Sequence, residues 1–135
     1  MRWYEFRIDK GRLVRLHQQG TYASGGFYRW MGSIGMDGAG NIAMGYSFGG
    51  TPHFAGQRLA ARAPSDPPWR MGFRETVIAE GEDSQRNTMR WEDYTTLAMD
   101  PDDCTFWYVG DNCKKGAMSY STRIAGWRVE GWKPR

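Results

Sequence analysis

The chain has 135 residues, the size of one ordinary domain rather than two. Its 18 glycines and six prolines separate apolar runs rich in rings, with seven Trp, seven Tyr and six Phe, which is turn-rich all-β punctuation. The net charge of +3 is spread along the chain with acidic residues interspersed, which argues against a nucleic-acid partner, and no run approaches the roughly 18 apolar residues of a membrane span.

Residues 3–8, WYEFRI, alternate as a half-buried strand, with Tyr4, Phe6 and Ile8 on one face. Asp9-Lys10-Gly11 is a tight turn, and LVRLHQQGTY continues as the second arm of a hairpin. Residues 32–37 form a strand in which Ile34 and Met36 share a face. Asp37-Gly38-Ala39-Gly40-Asn41 then supplies turn chemistry: side-chain oxygens that cap amides, and glycines that take positive φ. Ile42, Met44 and Tyr46 line one face of the return strand, and 48–52 is a loop. Residues 57–63 are a short strand, the prolines that follow enforce an irregular segment, and Thr76-Val77-Ile78 is another strand. A polar loop covers 81–87. Residues 95–99 and 105–109 pair around the turn Asp100-Pro101-Asp102-Asp103, 111–119 is a charged loop, and Arg123–Val129 is a last strand resembling WYEFRI. A helix over 86–98 is the rival reading, since Trp91, Tyr94 and Leu97 fall at helical spacing. Thr95-Thr96 argues against it.

The chain says one thing twice. RWMGSIGMDGAGNIAMGY begins at Arg29 and RWEDYTTLAMDPDDCTFWY at Arg90, and the Met-Asp pairs at Met36 and Met99 lie 63 residues apart. Approximate units 3–57 and 58–121, with a final strand at 122–129, divide the single region 1–135. Four-stranded antiparallel units repeated in sequence are the blades of a β-propeller. The expected fold is therefore all-β, with about two blades of an incomplete ring. Such blades expose apolar faces, so the partners expected are the remaining blades of a longer protein or further copies, three such chains making a six-bladed ring.

The strings RWMGSIGMDGAGNIAMGYS, RWEDYTTLAMDPDDCTFWYVGD and SYSTRIAGWRV resemble the C-terminal part of a family of large bacterial secreted or surface proteins that look like sialidase-type β-propellers. The resemblance runs from Trp3 to Val129. It implies a propeller and an extracellular setting, although the start, MRWYEFRIDKGR, has no apolar core of signal-peptide length. The family pattern has Gly after the second Arg-Trp, where this chain has Glu92. The family also tends to finish with a cysteine shortly after the last strand, which could pair with the residue equivalent to Cys104. Here the chain ends Glu130-Gly131-Trp132-Lys133-Pro134-Arg135.

Arg29, Trp30, Arg90, Trp91, Asp93 and Tyr94 fall near the mouth of such a propeller and are the candidate ligand-binding set. Rings pack on sugar faces, and guanidinium and carboxylate groups bond hydroxyls or acid groups. The plainer reading of the repeated Arg-Trp is stacking that locks neighbouring blades. Asp93 is the one candidate catalytic carboxylate. Glu92 and Asp93, adjacent on a strand, would point to opposite faces rather than flank one glycosidic bond. Asp100, Asp102 and Asp103 are the candidate Ca²⁺ ligands, with turn capping as the competing role. Two His and two Cys without a CxxC make no zinc site, and no cofactor is implied. Cys104 and Cys113 bracket an extended strand, so two unpaired thiols are expected. The function expected is an extracellular binding or scaffold module for glycans. The alternative is part of a sialidase-like glycoside hydrolase whose catalytic residues lie partly outside this chain.

Overall fold

The computed structural model describes residues 1–72, 75–86 and 88–129. Asn87, at the end of the polar loop, and the tail Glu130–Arg135 lie outside them. The described residues are all-β and antiparallel, with nine strands and no helix. The helix alternative over 86–98 is not what forms: the first regular element there is a strand from Thr96.

β1 (Arg2–Ile8) and β2 (Val14–Thr21) pair as a hairpin. Its turn is capped by Asp9, whose Oδ1 accepts hydrogen bonds from the amides of Gly11 (2.9 Å) and Leu13 (3.0 Å). The second sheet runs β3 (Tyr28–Met36), β4 (Ile42–Gly50), β5 (His53–Arg62) and β6 (Thr76–Gly81), in chain order. The third runs β7 (Thr96–Met99), β8 (Phe106–Cys113) and β9 (Tyr120–Trp127). Four strands were expected in each repeat; the third sheet has three among the described residues. The division of the repeat at residues 57 and 58 falls inside β5, so the sequence repeat and the sheets are out of phase.

Two strands run longer than their composition suggests. Gly49-Gly50 reads as a break, yet β4 continues through Gly50, and a two-residue turn at Thr51-Pro52 leads to His53, the partner of Gly50. Asp111–Cys113 reads as charged loop, yet these residues are buried and end β8, paired with Thr122, Ser121 and Tyr120. The Asp111 carboxylate accepts the Thr122 hydroxyl at 3.0 Å, so a polar strand end is satisfied by its neighbour rather than by water. Cys104 and Cys113 are both free and buried; Cys104 precedes the extended β8 and Cys113 ends it.

The core explains the order of the sheets. β4 is buried on both faces. One face carries Met44, Tyr46 and Phe48, which with Ala60 pack under Met1, Tyr22, Phe27 and Met71. The other carries Ala43, Gly45 and Ser47, small residues that admit the third sheet. There Ala43 and Ala61 meet Leu97, Phe106 and Tyr108. Phe106, Tyr108 and Tyr46 are fully buried, and each contributes about 1.5–3 kcal/mol relative to exposure. Small residues on one sheet facing large rings on the next keep the layers close.

Candidate functional site

The two Arg-Trp sequences come together at one end of the second and third sheets. Trp30 and Trp91 meet edge to face with ring centroids 6.0 Å apart. The residue after each pair adopts the same left-handed backbone: φ is +50° at Met31 and +41° at Glu92. A side chain at positive φ is strained. In this chain the strain is held by side-chain bonds. The Glu92 carboxylate accepts the Ser47 hydroxyl at 2.7 Å and the Asp111 amide, while Trp91 Nε1 donates to the same Ser47 oxygen at 3.0 Å.

Arg29 is anchored rather than presented. Its side chain is 3% exposed. Nε and Nη2 donate to the two Glu75 oxygens at 2.9 and 3.2 Å, and Nη1 donates to the Ser24 carbonyl at 2.7 Å. Tyr22 and Phe48 flank the guanidinium with ring centroids 5.1 and 5.2 Å away. The Tyr46 hydroxyl donates to Glu75 at 2.5 Å. Burial, and then this bond, push the Tyr46 hydroxyl well above its ordinary range.

Arg90, Asp93 and Tyr94 are the exposed members of the set. Arg90 and Asp93 form an ion pair, and Tyr94 is 89% exposed. The adjacent carboxylates 92 and 93 do part company, but in a loop and not on a strand: Glu92 turns into the structure and Asp93 stays out. Ser47, Glu75 and Asp111 carry much of this geometry and were not among the candidates. The one signal is indirect, namely Glu92, where the resemblance implies glycine.

Beneath Glu92 the two sheets enclose polar groups. Gln57 and Tyr108 are fully buried, and Asn112 nearly so. The Gln57 amide, the Tyr108 hydroxyl and the Asn112 nitrogen have no protein partner. Tyr108 is held above its ordinary range, by burial first and the Glu92 charge second. Burial also raises Glu92 and Asp111, outweighing the hydrogen bonds each carboxylate accepts.

A raised carboxyl contributes stability that is fully present below its unfolded-state pKa and is lost as pH rises through the folded one. Glu92→Gln keeps an acceptor for the Asp111 amide and gives Ser47 a donor. The variant is therefore expected to match the parent near about pH 4 and to melt higher than it at about pH 7. Thermal melts at the two pH values check this, and a Gln variant that melts lower at pH 7 contradicts it.

Of the three aspartates at 100–103, Asp100 and Asp102 cap their turn with their side chains, and Asp103 takes part through its backbone. Asp100 Oδ1 accepts the Asp102 amide at 3.1 Å and Oδ2 accepts Trp107 Nε1 at 2.9 Å. Asp102 accepts the Thr105 hydroxyl (2.6 Å), the Cys104 amide (2.9 Å) and Arg128 (2.6 Å), and the bonds from Thr105 and Cys104 hold it well below the usual carboxylate range. The two repeat turns are built alike and touch. Gly40 N bonds Asp37 O at 2.9 Å as Asp103 N bonds Asp100 O at 3.0 Å. Gly40 and Asp103 both take positive φ, and Gly38 N donates to Asp103 O at 3.2 Å. Among the described residues no group of three His, Cys, Asp or Glu is arranged to hold a metal ion.

No protein-family model matches the chain, and no curated protein or solved structure does so.

Proposed function

We propose that the chain is a run of β-propeller blades acting as a binding or scaffold module, in the extracellular setting that the resemblance implies, with carbohydrate as the ligand class. Consecutive antiparallel sheets stacked face to face support the propeller. In that arrangement the last strand of one sheet leads to the first of the next, as β2 leads to β3 and β6 to β7. One observation carries the binding role. The loop before β7 is pinned from below by Trp91 and Glu92, while the Arg90–Asp93 ion pair and Tyr94 are exposed above it. An exposed ring beside a guanidinium and a carboxylate suits the apolar face and hydroxyls of a sugar. Arg29, Trp30 and Trp91 serve as the frame under that surface. The hydrolase alternative needs a second carboxylate facing Asp93 across a bond; Glu92 faces the other way.

Titration of the protein against a panel of neutral and acidic oligosaccharides tests this reading. Binding without turnover is expected. Tyr94→Ala should weaken it about tenfold, the equivalent of roughly 1.4 kcal/mol, with the melting temperature unchanged. Binding that survives Tyr94→Ala, or hydrolysis of the bound glycan, would overturn it.

A further inference from the structure

The repeat gives β3 and β7 matching residues at matching places, Ile34 with Leu97 and Met36 with Met99. Their burial differs. Leu97 is 8% exposed, because it lies over Gly35 of the preceding sheet, where an added Cβ would come within 2.7 Å of the leucine Cδ2. The seam is stitched by Leu97 N to Ser33 Oγ at 2.8 Å and Thr95 Oγ1 to Met31 O at 2.7 Å. Ile34 and Met36 are each 42% exposed. They look onto two adjoining hollows of about 230 and 490 Å³, walled on the far side by β1 from Trp3 to Phe6.

β1 has β2 on one edge and no strand on the other among the described residues. In the second and third sheets the strand third in line, β5 or β9, has β4 or β8 on its inner edge. Because β2 leads to β3 as β6 leads to β7, β1 and β2 stand as the outer half of a sheet. The hairpin is also inverted in polarity. Glu5 and Gln18 are buried against Arg62, while Tyr4, Phe6, Ile8, Val14 and Leu16 are exposed. An open edge beside uncovered apolar residues is a seat for further strands.

We propose that this hollow binds a further β-hairpin built like residues 28–50. One strand would lie along β3 with a small residue under Ile34, as Gly35 lies under Leu97. The other would pair antiparallel with the free edge of β1. The occupant is named by continuity: the β3–β7 seam, repeated once more on the opposite side of β3, requires this chemistry. An intact second copy does not fit, since its own β5 would claim the place that β1 holds. The inference rests on the blade reading above.

The probe is a synthetic peptide of residues 28–50, compared with the same peptide carrying Gly35→Val. The first should raise the melting temperature by about 4 °C or more at saturation, and should shift the methyl resonance of Met36 but not that of Met99. The valine peptide should do neither. Three results would overturn the proposal: no effect of the first peptide, equal effects of both, or Met36 becoming protected through self-association of the protein alone. Gly35→Val in the protein itself separates the two readings. If it leaves the melting temperature unchanged, the blade-to-blade seam is wrong. If it destabilises while the peptide does not bind, only the docking inference fails.

Discussion

A valine at position 45 is expected to destabilise the protein by about 3 kcal/mol or to prevent folding. Gly45 sits in the middle of β4, opposite Ser33 on one side and Leu59 on the other. A Cβ built there falls 2.1 Å from Cδ2 of Tyr108 and 2.5 Å from two more atoms of that residue. Neither neighbour can yield cheaply. β4 is buried on both faces, and Tyr108 is fully enclosed between the sheets. The backbone at Gly45 does not take positive φ, so the penalty is steric rather than conformational. Alanine should already destabilise. Tyr108→Ala alone should cost about 3–5 kcal/mol, as large buried rings do. The double variant Gly45→Ala, Tyr108→Ala should be more stable than the sum of the single effects, because the second change removes the clash created by the first. Denaturant midpoints of the four proteins measure that coupling. Additive losses would mean that the ring does not lie over the glycine.

Arg29→Met is expected to cost about 3 kcal/mol, the low end of what is lost when one partner of a buried ion pair is removed. The low end applies because Glu75 keeps partial contact with solvent, with its side chain 21% exposed. The loss combines the fork onto Glu75, the bond to the Ser24 carbonyl and the packing against Tyr22 and Phe48. Arg29→Lys should be nearly as damaging, since an ammonium cannot reproduce two parallel bonds to one carboxylate while also reaching a carbonyl. Pairing Arg29→Met with Glu75→Gln should recover part of the loss by removing the uncompensated charge. Urea unfolding of the single and double variants measures this. A fully exposed, merely solvated arginine would give losses under about 0.5 kcal/mol instead.

The strand–turn–strand repeat is legible in the chain because its landmarks are chemical. Arg-Trp, Met-Asp and the Asx-rich turns recur in order, and the structure builds both turns with the same bonds and the same positive φ at Gly40 and Asp103. Alternation predicted the faces of β1 and β3 correctly but not which face is covered. Tyr4, Phe6 and Ile8 form a clean apolar set, yet they are the exposed set, and Glu5 on the other face is the buried one. Burial depends on what lies opposite, and that is not a property of the strand itself. β4 and β8 were cut short for a related reason. Gly49-Gly50 and Asp111-Asn112 look like breaks, but cross-strand partners complete them.

The candidate site divides along similar lines. Arg29 and Trp91 were legible as residue types suited to sugar contacts, yet their bonds to Glu75 and Ser47 make them a frame. Glu75 and Ser47 lie 46 and 44 residues away in sequence from the groups they hold, with no local pattern to link them. Only Glu92 carries a signal in the sequence, a glutamate where the resemblance implies glycine and where the backbone takes positive φ.

The most direct test of the account is whether the two repeat hairpins lie against each other in solution. Nuclear Overhauser contacts between the Gly45 α-protons and the Tyr108 ring, and between the Gly38 amide and Asp103, read this out. The stacked repeat predicts both contacts, with the Gly45–Tyr108 contact among the strongest between sheets. Intact hairpins, seen through their own cross-strand contacts, with neither inter-repeat contact present, would contradict it.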